Sequence, residues 1–243
     1  MKVRTSFKEM NALCSMLIED FLRRYHYSNT RVIDIENFAT EYLGTKIVYE
    51  VFAEECPGRG GFISDGKKPL QVLRNGIFQK VIFPENVIVI DLSLTKPEEL
   101  ARMRFTIAHE AAHLIMKKHV PGNYAAAYHT EFVAGENYEP EMVINMLSYT
   151  ETLMNKAAAS LLMPDFIVNR ALKTYNNGNK IIVYRGSDTV VPDSGKMIIQ
   201  RMADSMGVSF KACYHRLQEL SLFEEHPLIE YAALFRATEN DNV

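Results

Sequence analysis

The feature that most constrains this chain of 243 residues is a His-Glu-x-x-His sequence, present here as His-Glu-Ala-Ala-His from His109 to His113. Residues four apart on an α-helix lie on the same face, so a helix here would bring both imidazoles to one metal ion. Glu110 would lie beside that ion, where its carboxylate could take a proton from a metal-bound water. The pattern therefore predicts a metal centre on a helix, with His109 and His113 as ligands and Glu110 as the general base.

The sequence around this motif favours a helix. Apolar residues recur at steps of three and four between positions 100 and 114, as expected for a helix that is buried on one side. Thr95 and Glu98 fit a capping box that would start it. Ala108, Ala111 and Ala112 are small, so neighbouring elements could approach the histidine face closely. In a helix, the His-Glu-x-x-His pattern is typical of zinc metallopeptidases.

A catalytic zinc site needs three protein ligands and one open position. Glu151 is the best candidate for the third ligand, because it lies on an otherwise apolar face of a second predicted helix, residues 142–162. His129 is the main alternative, followed by His119 and Glu131. The metzincin pattern would use His119, but it requires a glycine where this chain has Met116. Four side chains could donate to a developing oxyanion: Tyr124, Tyr128, His129 and Tyr149.

Two blocks of the sequence resemble the ImmA/IrrE family of metallopeptidases. One block runs from Arg104 to His113, and the other runs from Glu151 to Pro164 and ends in Leu-Leu-Met-Pro. A looser resemblance continues through residues 202–217, which contain a Val-Ser and an Arg-Leu segment. The family usually has Leu-Gly inside the motif, whereas this chain has two alanines, a change that suits a helix.

The resemblance implies a zincin-like fold and an activity. It implies that Zn²⁺ is the cofactor and that Glu110 is the general base of a gluzincin-type endopeptidase. It implies three metal ligands: His109, His113 and Glu151. Relatives cleave a helix-turn-helix transcriptional repressor, often one tied to a mobile element or a stress response. The resemblance therefore implies a regulatory protease with a repressor as its protein substrate.

Periodicity along the chain predicts an α+β fold with a small, mostly antiparallel sheet, the motif helix, a second ligand helix and a C-terminal helix-turn-helix-like segment. Strands are predicted at residues 46–52, 70–73, 79–83 and 87–91. The last of these is the candidate for an edge strand that holds a substrate peptide, and a central core strand is the alternative that the sequence leaves open. We predict a zincin-like metallopeptidase domain over residues 1–174, and a hairpin with two helices over residues 175–243 packed on it.

Composition limits the classes of partner. A formal net charge of −3 gives no general attraction to nucleic acid or to anionic membranes. The three cysteines are scattered along the chain and match no disulfide or metal spacing. The sequence contains no signal-like segment at its start and no apolar run of membrane-spanning length. We therefore expect a cytoplasmic protein without a membrane partner.

Two other functions remain open at this point. The chain could be an anti-repressor that binds its partner without cutting it, although such a module would not need Glu110. It could also be a DNA-binding regulator that uses residues 195–222, which resemble a helix-turn-helix. The DNA-binding function is disfavoured because residues 195–222 contain few basic residues that could contact phosphates.

Overall fold

The computed structural model describes residues 6–27, 29–53, 60–119 and 140–231, with side chains in the helix that starts at Pro140 described from Tyr149 onwards. The chain is a mixed α+β protein with small sheets, in agreement with the predicted class. It forms two compact units, Met1–Pro164 and Asp165–Val243. The assignment of residues 1–174 to a catalytic domain stays a prediction. Within the described ranges, no helix combines the length and apolar character needed to cross a membrane.

In the first unit, the helix that carries the motif packs on a short sheet. Ser6 and Glu9 form a capping box at the start of the first helix, in which each side chain bonds the backbone N–H of the other residue. The helices of this unit are α1 Phe7–Arg24, α2 Ile35–Asn37, α3 Leu100–His119 and α4 Pro140–Leu162. The short helix α2 continues directly into a π-helical segment, Phe38–Tyr42. Helix α3 packs against α4, and α4 packs against α1.

Three strands of the first unit form a sheet with β5 at its centre. The strands are β1 (Ile47–Glu50), β2 (Gly61–Ile63) and β5 (Ile88–Asp91). Strand β5 is parallel to β1 and antiparallel to β2. Of the two placements left open for residues 87–91, the edge is therefore wrong and the centre is correct. Among the described strands of this sheet, β2, which the sequence patterns did not reveal, lies at the edge instead.

A hairpin continues this sheet beyond β1. It consists of β3 (Leu70–Arg74) and β4 (Ile77–Val81), joined by Asn75-Gly76, whose positive φ angles of 53° and 75° suit a two-residue hairpin turn. Strand β3 pairs with the residues that follow β1, through a bridge between Phe52 and Val72. The side chains between these strands form an apolar core, in which Val72 and Val89 are completely buried.

The start of α3 differs from the prediction. Thr95 belongs to a 3₁₀ turn, Leu92–Thr95, and its hydroxyl donates to the Leu92 carbonyl at 2.8 Å. A second 3₁₀ turn, Pro97–Glu99, precedes the helix. The predicted capping box at Thr95 is therefore wrong, because the Asp91 side chain accepts from the Ser93 N–H and starts the turn earlier.

Two glycines allow β2 to lie directly on α3. A Cβ atom on Gly61 would stand 2.7 Å from Cγ2 of Thr106 and 3.0 Å from the carbonyl oxygen of Val89. A Cβ atom on Gly60 would stand 2.8 Å from Cδ1 of Leu94. Distances this short leave no room for a Cβ atom unless a neighbouring atom moves, and at Gly61 one of the neighbours is backbone. The edge strand therefore touches α3 one turn before the histidine motif.

The second unit combines helices with a three-stranded sheet. Its elements are α5 Asp165–Asn176, β6 Ile181–Arg185, β7 Thr189–Val190, α6 Asp193–Met206, α7 Phe210–Glu219 and β8 Phe223–Pro227. The strand order is β7-β6-β8, in which β6 is antiparallel to β7 and parallel to β8. Gly207, with φ of 64°, ends the helix α6, and the Ser209 side chain accepts from the Ala212 N–H to start α7. The likeness of this helix pair to a helix-turn-helix stays a prediction.

Candidate metal centre

The histidines of the motif and one glutamate bring their donor atoms together between α3 and α4. The Nε2 atoms of His109 and His113 are 3.1 Å apart, as the one-turn spacing on a helix allows. Oε2 of Glu151, on α4, lies 3.3 Å from Nε2 of His109. The three ligand atoms all lie within 4.8 Å of one another, so the group could hold one metal ion.

These separations can be compared with those of a zinc site. In a tetrahedral site with metal–nitrogen distances of about 2.0–2.1 Å, two donor atoms stand about 3.3 Å apart. The two measured separations, 3.1 Å and 3.3 Å, agree with that value. Two imidazoles and a carboxylate are also a donor set that zinc enzymes use. The residues present therefore fit a zinc ion.

Asn155 completes the surroundings of His109 on the side away from the donor group. Its Oδ1 atom lies 3.0 Å from Nδ1 of His109. An amide oxygen accepts a proton, so Nδ1 carries the hydrogen and the lone pair of Nε2 faces the group. Asn155 is one helical turn beyond Glu151, so α4 supplies both a candidate ligand and the residue that orients another. Asn155 lies in the second block that resembles the family, but the sequence alone predicts no role for it.

The site favours positive charge. Burial disfavours the protonated form of His109, but the hydrogen bond to Glu151, the charge of Glu110 and the contact with Asn155 outweigh it, so the pKa of His109 is raised. The negative surroundings that hold a proton on this imidazole also attract a metal cation. Protons and metal would compete for the same nitrogen.

Glu110 is buried, with only 7% of its surface exposed. A carboxylate in such a position loses hydration, so it needs a nearby positive charge or hydrogen bonds. Its charge acts on His109, the neighbouring residue in the chain. A metal ion at the donor group would supply further positive charge near Glu110.

Small residues let the two ligand helices approach. Ala108, Ala111 and Ala112 of α3 are completely buried, as are Ala157 and Ala158 of α4. The distance between packed helices depends on the side chains at their contact, and alanine allows a close approach. The two alanines that replace the usual Leu-Gly of the motif are therefore compatible with a close approach of α3 and α4.

Helix α3 is fixed by hydrogen bonds at both ends. Near its start, Arg104 donates to the carbonyl of Ile33 at 2.9 Å. Near its end, Lys118 donates to the carbonyl of Leu43 at 2.8 Å, and Lys117 forms an ion pair with Glu85. Desolvation lowers the pKa of Arg104, and the acidic residues at the start of α2 partly offset this. These contacts hold both histidines in place on one rigid element.

Helix α4 is fixed by α1. The Ser160 hydroxyl donates to Oδ1 of Asn11 at 2.9 Å. The ring of Phe7 contacts the ring of Tyr149, with centroids 5.5 Å apart, and the ammonium of Lys156 lies 4.1 Å from the Phe7 centroid. Tyr149, a candidate oxyanion donor, therefore packs against α1.

The structure distinguishes among the alternative ligands only in part. His119 is exposed at the end of α3 and is not among the donor atoms that come together. Glu151 is brought to the site, although 55% of its side chain is exposed, whereas a buried position was expected. The remaining candidates lie outside the described residues: Tyr124, Tyr128, His129 and Glu131.

Replacing Asn155 by alanine should weaken zinc binding by about 10–100-fold, the usual loss when a partner of a ligating histidine is removed. The His109 ring would lose the bond that fixes its orientation and tautomer. Competition with a chromophoric chelator measures the affinity. Asn155→Asp keeps the acceptor oxygen and should bind zinc nearly as well, while Thr152→Ala is a matched control on an exposed position of the same helix. Equal affinities for Asn155→Ala and the control would remove Asn155 from the site.

Comparison with known proteins supports the family suggested by the sequence. A family model described as the IrrE N-terminal-like domain, Peptidase_M78, matches residues 79–218. This match covers more than half of the chain and includes α3 and α4, which carry the donor group. No curated protein matches the chain. With this match, and with a group on these two helices that could hold a metal ion, the chain belongs to the ImmA/IrrE family of metallopeptidases.

Proposed function

We propose that the chain is a zinc-dependent endopeptidase of the gluzincin type. The observation that carries the proposal is the meeting of three donor atoms from His109, His113 and Glu151, next to a buried glutamate, Glu110, whose charge acts on His109. A metal site that only stabilised the fold would need no residues other than its ligands. A hydrolytic site also needs a general base, and the buried glutamate can serve as one.

Each residue has a defined part in this reaction. When bound, the zinc ion supplies Lewis-acid chemistry, which lowers the pKa of water and polarises the scissile carbonyl. Glu110 accepts a proton from the attacking water, whose oxygen bonds to the carbonyl carbon. Glu110 then gives that proton to the amide nitrogen as the carbon–nitrogen bond breaks. Asn155 holds the His109 ring in its orientation throughout.

The substrate backbone has a place to bind at β2. In peptidases built this way, an extended substrate can pair with an edge strand beside the motif helix. Strand β2 meets this requirement, since it lies at the edge of its sheet and Gly60 and Gly61 let it touch α3 at Thr106. We therefore assign the scissile segment to β2 rather than to β5.

We propose that the substrate is a helix-turn-helix transcriptional repressor, so that cleavage regulates transcription in the cytoplasm. This part rests on the family, whose members cleave such repressors. An anti-repressor that binds without cutting is the competing function. The presence of Glu110 in a buried position beside the donor group favours cleavage over mere binding.

Incubation of the zinc-loaded chain with each purified helix-turn-helix repressor encoded beside it tests this proposal. We expect one repressor to yield a pair of fragments whose masses sum to the intact protein plus one water, with cleavage abolished by a chelator and restored by zinc. An intact, stable complex with a repressor would support the anti-repressor instead. A salt-sensitive complex with DNA, without any cleavage, would support a DNA-binding regulator that acts through residues 195–222.

A further inference from the structure

The outer strand of the hairpin, β4, has the features of a docking edge. Within the part of the chain that the structure describes, β4 pairs only with β3. On its other side, β3 bonds to the residues after β1: the Leu73 N–H donates to the Val51 carbonyl, and the Ala53 N–H donates to the Gln71 carbonyl. Strand β4 is therefore the last strand on this side of the sheet.

The alternation of backbone groups shows which atoms of β4 face outward. Because Gln71 and Leu73 direct their backbone groups toward the segment after β1, the residues between them bond to β4. Residues opposite Gln71 and Leu73 form the non-hydrogen-bonded pairs, and these are Lys80 and Phe78. The N–H and C=O groups of Phe78 and Lys80 consequently point away from β3, toward the open edge.

The side chains along this edge are apolar and exposed. The exposed fraction is 55% for Phe78 and 58% for Ile82, which follows the strand. Phe78, Lys80 and Ile82 alternate along the chain, so they share the face of the hairpin opposite the buried Val72. An exposed apolar edge strand promotes pairing with another chain, and proteins usually cover or interrupt such edges.

The charge of the hairpin indicates what kind of strand would pair with the open edge of β4. The hairpin, residues 70–81, contains two basic residues, Arg74 and Lys80, and no acidic residue, although the formal net charge of the whole chain is −3. Arg74 forms an ion pair with Glu50. Lys80 lies between Phe78 and Ile82 on the outer face. A second copy of this edge would carry the same lysine, so self-pairing is disfavoured and an acidic partner is favoured.

We propose that β4 binds an extended, acidic segment of a protein partner, which adds to the sheet as a further strand. The segment carries an apolar residue, a carboxylate and an apolar residue at alternate positions, opposite Phe78, Lys80 and Ile82. Its backbone bonds to the outward groups of Phe78 and Lys80. We assign the segment to the protein substrate, away from its cleaved bond. This assignment rests on the proposed peptidase function, whereas the binding itself does not.

A fluorescent peptide, Ser-Val-Ser-Glu-Ser-Val-Ser, tests the binding with the full chain, both with and without zinc. We expect saturable binding that weakens at high salt, and at least tenfold weaker binding of a peptide with lysine in place of the glutamate. The Lys80→Glu variant should reverse this preference, whereas Lys180→Glu, an exposed control in the second unit, should not change it. Hydrogen exchange at the amides of Phe78 and Lys80, but not of Gln79, should slow in the presence of the peptide.

Several results would overturn the proposal. One is equal binding of the glutamate and lysine peptides by the wild type. Another is unchanged exchange at the amides of Phe78 and Lys80 at saturating peptide. A dimer that dissociates in the Phe78→Ser variant would show that a second copy covers this edge. Peptide binding is measured independently of cleavage. If the peptide fails to bind while a repressor is still cut, the docking edge is refuted and the peptidase function stands.

Discussion

Glutamine in place of Glu110 should abolish measurable cleavage while the protein still binds zinc as tightly as the wild type. The substitution keeps the size of the side chain but removes its ability to accept a proton, and general base catalysis typically contributes about 10²–10⁴-fold to the rate. The metal ligands are unchanged, so the metal content should stay the same. Zinc analysis and a time course of repressor cleavage, made on one preparation, measure both quantities.

The matched control for this experiment is Glu98→Gln, which makes the same chemical change at an exposed position before α3. We expect the control to cleave like the wild type. Cleavage by Glu110→Gln at the rate of the control would show that another group activates the water, and the mechanism proposed here would then be wrong. Loss of zinc from Glu110→Gln would instead give this residue a role in holding the metal.

Alanine in place of Glu151 should remove the zinc. Glu151 is the only donor of the group that comes from α4, so without it two histidines on one helix remain. We expect the affinity to fall by more than the roughly 10–100-fold that loss of an orienting partner costs. Elemental analysis of wild type and variant, prepared side by side with zinc supplied, measures the change.

Thr152→Ala, one residue further along the same helix, serves as the control and should keep its zinc. If Glu151→Ala retains zinc at the level of this control, the third ligand is another residue, with His129 the first candidate. Absence of zinc from the wild type as well would refute the metal centre, and the anti-repressor function would then be the stronger one. Circular dichroism on each variant separates loss of metal from loss of fold.

Local patterns were sufficient to predict the elements that carry the site. His109 and His113 can reach one ion if the segment between them is a helix. The apolar residues around them recur with a helical period, and the segment is indeed a helix. Glu151 was identified because α4 is apolar around it. Its exposure was not foreseen, since it depends on how far α3 covers α4, and that is decided by the packing of the two helices.

Features that depend on contacts between distant segments could not be read from the sequence. Asn155 belongs to the second block that resembles the family, but its contact with His109, 46 positions away in the sequence, follows only from the packing of the two helices. Strand β2 has only three residues and begins at Gly61, so it has no strand pattern of its own. The central place of β5 follows from which strands pair with it, and its apolar sequence suits an edge as well as a centre.

The division of the donor group between two helices links metal supply to the stability of the protein. A zinc ion held by His109, His113 and Glu151 would join α3 to α4, two helices that already pack against each other. The unfolded chain cannot present these donors together, so binding adds to the free energy of unfolding. Once the site is nearly saturated, each tenfold rise in free zinc contributes about 1.4 kcal/mol. The lifetime of the folded protein would then report how much zinc the cell has available.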